Sequence, residues 1–140
     1  MNIIVKPLST QTSSVELARL FRYNLTKMVA QIDTGFLMQE EDCYCCEVRW
    51  QGGLIGFGAL SMRIVPTKGF VGMLEDIVVD DQYQGMGIGT AIVEHLLEKA
   101  QTLKLARVDL TSNPRRTEAR KLYQKQGFTL TDTNLFRKNL

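Results

Sequence analysis

The chain has 140 residues, 44% apolar and 23% charged, with a formal net charge of +2. That length fits one domain, residues 1–140, able to bury a core, and the mild charge argues against a nucleic-acid partner. No apolar stretch approaches the roughly 20 residues that span a bilayer. The start, "MNIIVKPLST", lacks the flank and cleavage site of a signal peptide. The sequence therefore reads as cytoplasmic.

The apolar run Asn2 to Val5 predicts a short strand, ended near Pro7. "SSVELARLFRYNLTKMVA" has helical spacing: Val15, Ala18, Leu25 and Met28 share a face that Leu17, Phe21 and Val29 widen. Ser13 followed by Glu16 has the form of a capping box. Residues 33–41 read as a second, short helix. "CYCCEVRW", "LIGFGALSMRIV" and "FVGMLEDIVV" are strand-like, with turns at "QGG" and "PTKG", which predicts an antiparallel meander. The three cysteines, Cys43, Cys45 and Cys46, fall inside the first of these strands. With His95 as the only histidine there is no second ligand cluster, so no metal is expected and the cysteines read as reduced, buried strand residues. His95 itself reads as a partly exposed surface residue.

Ile88, Ile92, Leu96, Ala100 and Leu103 recur every three or four residues and predict a helix of about four turns. "ARVDLTS" then reads as a strand and "TEARKLYQKQG" as a helix closed by Gly127. "FTLTDTNLFRKNL" is expected to supply one or two last strands. This order gives one mixed α/β domain.

Three glycines, Gly85, Gly87 and Gly89, alternate in "YQGMGIGTA", just where the long helix begins. A helix start offers about four unpaired N–H groups and the positive end of the dipole. Glycine keeps side chains out of the way of an approaching anion. The backbone of Gln84, Gly85, Met86, Gly87, Ile88, Gly89 and Thr90 can therefore wrap a diphosphate as a nest of donors. The stretch fits neither a Walker A loop, which ends Gly-Lys-Ser/Thr, nor the dinucleotide fingerprint, which needs a glycine where Thr90 stands. The plain alternative is a loop whose glycines only permit tight packing.

Gln84 to Gly89 fits the (Gln/Arg)-x-x-Gly-x-(Gly/Ala) pattern of the GCN5-related N-acetyltransferases, and "LEDIVVDDQY" before it resembles that family's fourth strand. "ARKLYQKQGF" resembles the second family signature, a helix with Ala, Tyr and then Gly-Phe. Between Gly72 and Gly89 the chain is most similar to glucosamine-6-phosphate N-acetyltransferases, sharing G-x-x-E-D-I-x-V-x-x-x-Y-Q-G-x-G-x-G. Tyr123 follows Asn113 by a longer gap than the family's common Asn-x-x-Ala form. The resemblance implies a mostly antiparallel mixed sheet of six to seven strands, about four helices, and a splay between the fourth and fifth strands.

It also implies acetyl-CoA as co-substrate and a small-molecule amine as acceptor. Backbone groups of Ile77, Val78 and Val79 would hold the pantetheine arm, with Asn113 and Tyr123 as further cofactor contacts. Glu75 matches the family's acidic position and is expected as the base. Tyr123 is expected as the acid that protonates the leaving thiolate. Under regular pairing Glu75 shares a strand face with Ile77, while Asp76 points away; a bulge would swap the two. Phe21, Tyr23, Phe36, Glu75 and Asp76 are expected on the acceptor side. Arg22, Arg63, Arg115 and Arg116 are candidates for an acidic group on the acceptor, with nothing in the sequence to bring them together. A homodimer through the C-terminal strands is also implied. The rival readings are a non-catalytic CoA or nucleotide-binding module, and an acetyltransferase acting on a protein N-terminus or lysine.

Overall fold

A computed structural model describes residues 1–140. β1 (Val5–Pro7) is followed by two helices, α1 (Ser14–Asn24) and α2 (Thr34–Gln39). Ser13 caps α1, its hydroxyl accepting from Glu16 N at 3.1 Å. The Glu16 carboxylate accepts from Arg49, at 2.6 Å, and from Leu54 N, and the Ser13 backbone N–H also favours its charged form, as the predicted box requires. Asp33 caps α2, Oδ1 accepting from Gly35 N at 2.8 Å.

The predicted meander is present as β2 (Cys43–Trp50), β3 (Gly53–Val65) and β4 (Gly69–Val79). Gln51 and Gly52, with φ of 49° and 81°, make the first turn. This positive-φ pair matches the twist of a hairpin. A 3-10 turn, Asp81–Tyr83, leads to α3 (Ile88–Thr102), then β5 (Val108–Asp109) and α4 (Thr117–Lys125).

The sheet has five strands in the order β1-β2-β3-β4-β5, antiparallel except for the parallel β4–β5 pair. This is the expected mixed architecture with four α-helices. The strand count is lower than the six to seven expected, because residues 128–140 form no strand. The predicted first helix also stops at Asn24 rather than running on to Ala30. Arg22 supplies charge in its last turn, but no glycine follows in the C-cap role.

The core lies on both faces of the sheet. α3 covers one, burying Ile88, Ile92, Val93 and Leu96 against Cys46, Val48 and Leu60. α1 covers the other, burying Leu17, Leu20 and Phe21 against Cys45, Phe57, Ala59 and Val78. Gly58 lets α3 come close: a Cβ there would sit 2.5 Å from Ile92 Cγ2 and 2.9 Å from Ile77 Cδ1.

Glu47 is fully buried beneath α1. It accepts from the hydroxyls of Ser9 and Thr12, and Arg49 Nε stands 3.6 Å from it. This polar cluster ties the β1–α1 connection to β2. His95, expected to be partly exposed, is half-buried, and its Nε2 lies 2.8 Å from the Tyr44 hydroxyl.

Candidate functional site

β4 and β5 pair over only two residues each, Gly72 with Val108 and Met73 with Asp109. Beyond them the strands part. The opening is a cleft of about 160 Å³ lined by Leu74, Glu75, Asp76 and Ile77 of β4, Leu110 and Thr111 after β5, Leu25 after α1, and Arg116 and Tyr123 at α4.

The register of β4 breaks opposite Gly58, between the pairs Ala59–Glu75 and Phe57–Val78. Asp76 takes a φ of 51°, a rare conformation for a residue other than glycine. The bulge changes the predicted faces. Glu75 stands opposite Ala59, on the α1 side, whereas Ile77 packs towards Ile92 and Leu96 on the α3 side. Glu75 and Ile77 therefore do not share a face, and both acidic residues reach the cleft. The extra residue is what allows two consecutive carboxyls to do so.

Partial burial, then the adjacent Asp76 charge, push the Glu75 carboxyl above its ordinary range, against smaller effects of Ser61 and Arg63. Burial likewise raises Asp76. Arg63 forms no ion pair with Glu75: within 4.0 Å the paired carboxylates are those of Glu16, Glu47, Asp109 and Glu118.

Tyr123 is held by the end of its own helix. Phe128 N bonds to Tyr123 O at 3.0 Å and Gly127 N to Gln124 O at 3.1 Å, with Gly127 at a φ of 90°. This is the glycine-closed helix end that the sequence predicts. The Phe128 ring meets the Tyr123 ring edge-on at 6.0 Å between centroids. Burial raises the Tyr123 phenol above its usual range, opposed by Arg116. The phenol therefore keeps its proton at neutral pH.

The glycine stretch opens α3. Gly87 is the cap residue, at a φ of 86° with no side chain to satisfy the helix start. The first N–H bond of the helix is Ala91 N to Gly87 O, at 3.0 Å. The N–H groups of Ile88, Gly89 and Thr90 are thus left for an outside acceptor. Gly85, at a φ of 79°, faces open space, as an approaching anion requires. A Cβ on Gly89 would lie 3.3 Å from Leu122 Cδ1 of α4 and 3.8 Å from Val79 Cγ2 of β4. So this turn sits where α3, α4 and β4 converge. The free N–H groups, the open Gly85 and the cleft together fit a co-substrate with a diphosphate and an extended amide arm.

Asp80 N bonds to Ile55 O of β3 at 2.8 Å. By antiparallel alternation the backbone of Val79, and of Ile77, turns to the free edge. The Val79 carbonyl there accepts from Gln84 Nε2 at 3.3 Å. The Val78 side chain is buried under α1.

Asn113 lies apart from the cleft lining. Its Oδ1 accepts from Arg115 N at 2.9 Å, shaping the turn before α4. Phe21 is a core residue, edge-on to Phe57 at 5.2 Å, and does not reach the cleft. Tyr23 and Phe36 are exposed. Of the four candidate arginines only Arg116 lines the cleft. Leu25, Leu110 and Thr111 were not singled out by sequence; they line the cleft because of how the strands diverge, and no local motif marks them.

Residues 11–128 match the sequence model of the Acetyltransferase (GNAT) family. A glucosamine 6-phosphate N-acetyltransferase of Trypanosoma brucei brucei is 33% identical over 79 residues, 55% of this chain and 52% of that protein. The match thus spans about half the length of that relative. Among solved structures, a Trypanosoma brucei acetyltransferase superposes with a TM-score of 0.81 at 22% identity, covering 99% of this chain and all of that one. The structure of AAC(6')-Iy with a bisubstrate analog, CoA-S-monomethyl-acetylneamine, superposes at 0.84 with 16% identity, covering 100% of this chain and 99% of that one. At such identities the two structures speak for the fold. The sequence match over most of the chain decides the rest: the protein belongs to the acetyltransferase (GNAT) family.

Proposed function

We propose that this protein transfers the acetyl group of acetyl-CoA to a primary amine of a small molecule. The observation that carries the reading is the meeting of the β4–β5 cleft, its two carboxyls and Tyr123 with the glycine-opened start of α3.

The N–H groups of Ile88, Gly89 and Thr90 hold the diphosphate of the co-substrate. The free edge of β4 at Ile77 and Val79 pairs with its amide arm as an added strand would. Glu75 takes a proton from the acceptor ammonium, whose ordinary pKa is about 10.4 for a lysine-like amine. The freed amine forms the N–C bond, the C–S bond breaks, and Tyr123 gives its proton to the departing thiolate. Asp76 raises the basicity of Glu75 through its charge. The acetyl carbon passes directly from sulfur to nitrogen within one ternary complex.

Glucosamine 6-phosphate is the first acceptor to try, because the Trypanosoma relative is named for it. Residues 129–140 are exposed throughout, with Leu130, Leu135 and Phe136 open to solvent. Those exposed apolar side chains support a homodimer in which they are covered. The test of the function is release of free CoA thiol from acetyl-CoA across a panel of amino sugars, amino acids and polyamines. Acceptor-dependent release with formation of the N-acetyl product supports the reading. Binding of CoA without turnover on any amine would favour a non-catalytic module.

A further inference from the structure

The cleft between β4 and β5 carries both signs of charge. Glu75 and Asp76 line its β4 wall, and Arg116 lines the side formed by the start of α4. Arg116 is the one cationic side chain in that lining. Its exposed guanidinium has no carboxylate within 4.0 Å: the paired arginines are Arg49 and Arg107. Its charge reaches the Tyr123 phenol, which burial raises and Arg116 opposes. Beside burial, the charges that act on Glu75 are those of Asp76 and Arg63, and Arg63 stands outside the cleft lining. Arg116 is therefore not taken up by the two carboxyls across from it. We propose that the acceptor is a zwitterion, a small amine that also bears a carboxylate or phosphate group, and that Arg116 binds this anion and so sets acceptor specificity.

The inference rests on the reading of the cleft as an acetyl-transfer site, and it narrows the acceptor to one chemical class. A guanidinium is planar and always charged, and its paired N–H donors match a carboxylate or a phosphate. Arg116 stands at the cap position of α4, where no side chain satisfies the helix start. The first N–H bond of that helix is Arg120 N to Arg116 O, at 3.0 Å. The N–H groups of Thr117, Glu118 and Ala119 thus place the positive end of the helix dipole beside the guanidinium. The Glu118 carboxylate is engaged by Lys121, at 3.3 Å.

An ammonium belongs on the opposite wall, because its proton leaves through Glu75. A neutral amine would leave the guanidinium unmatched. A polyamine would bring a second cation towards it. The cleft of about 160 Å³ is also small; sites for drug-sized ligands run to roughly 300–1,000 Å³. An amine and an anion a few bonds apart suit that space and both walls.

The test compares amines in matched pairs: β-alanine with propylamine, phosphoethanolamine with ethanolamine, and glucosamine 6-phosphate with glucosamine. Putrescine serves as a dication. Release of CoA thiol from acetyl-CoA is followed for the parent, Arg116→Gln and Arg116→Lys. The parent should prefer the anion-bearing member of a pair by about tenfold or more in kcat/KM, the size of a hydrogen bond to a charged group. Which pair shows the preference separates carboxylate from phosphate. Arg116→Gln should erase it by raising KM for the anionic acceptor, with KM for acetyl-CoA unchanged, and Arg116→Lys should restore part of it. Equal use of neutral or dicationic amines, an unaltered preference in Arg116→Gln, or a raised KM for acetyl-CoA in place of the acceptor's would overturn the proposal and leave acetyl transfer standing. No release with any amine would remove acetyl transfer and this proposal together.

Discussion

Glu75 and Tyr123 reach the cleft for different reasons, and their substitutions should separate. Glu75→Gln removes the proposed base but keeps shape, so kcat should fall about 10²-fold or more with an intact fold. Asp76→Asn should cost less, because it alters only the charge beside Glu75. Tyr123→Phe should lower kcat by a comparable factor with little change in KM for acetyl-CoA. Steady-state kinetics on a confirmed acceptor check all three; unchanged kcat in Glu75→Gln would remove its role.

The raised Glu75 carboxyl has two consequences with a fixed sign. The acidic limb of kcat/KM against pH should lie above the ordinary glutamate value of about 4.3, since Glu75 must be ionised to accept a proton. A carboxyl raised in the folded state binds more protons there than when unfolded. It therefore favours folding when protonated, and that benefit fades as pH rises through the folded value. Glu75→Gln should accordingly keep or raise Tm at pH 7 while activity falls, a measurable exchange of stability for function.

At the scale of elements, the chain carries much of its own plan. The hairpin at Gln51-Gly52 and the closure of α4 by Gly127 follow from residues that tolerate positive φ. The period of Ile88, Ile92 and Leu96 shows a helix because every one of them faces the same sheet. The bulge at Asp76 was not legible: nothing local in "LEDIVV" marks it, and it depends on how β4 registers against Gly58. Phe21 misled because an aromatic on a helix face looks alike whether it meets a ligand or Phe57. The tail's strand-like composition carries no information about whether a pairing edge is offered to it.

Two substitutions test the packing of these elements. Gly58→Ala places a methyl 2.5 Å from Ile92 Cγ2, so α3 must shift; denaturant titration should show a loss of about 1–3 kcal/mol. Glu47→Ala strips the Ser9 and Thr12 hydroxyls of their buried acceptor, while Arg49 keeps its 2.6 Å bond to Glu16. An unsatisfied buried group costs about 1–3 kcal/mol, so this variant should lose stability by roughly that much.

At the scale of the whole molecule, the fold brings one strand gap, one helix start and one helix end to the same place. The motif around Gln84 to Gly89 marked the start of α3 in the sequence. The rest of the cleft was hidden, because Leu25, Leu110 and Thr111 come from the connections after α1 and after β5. Shortening the chain after Phe128 should yield a monomer if the exposed tail covers a second copy; sedimentation of the full and shortened chains decides this.

A ligand that binds only the folded chain must raise its stability, by about 2.7 kcal/mol at a hundred times Kd. Acetyl-CoA should therefore raise Tm by several degrees, and Gly87→Ala, which forces a side chain into a φ of 86°, should lower both Tm and that increment. The most direct test of acetyl transfer is CoA thiol release measured for the parent and Glu75→Gln across the amine panel. The account predicts release that requires one class of small amine, yields its N-acetyl product, and drops about 10²-fold in the variant. Release that ignores the amine, or an undiminished rate in Glu75→Gln, would contradict it.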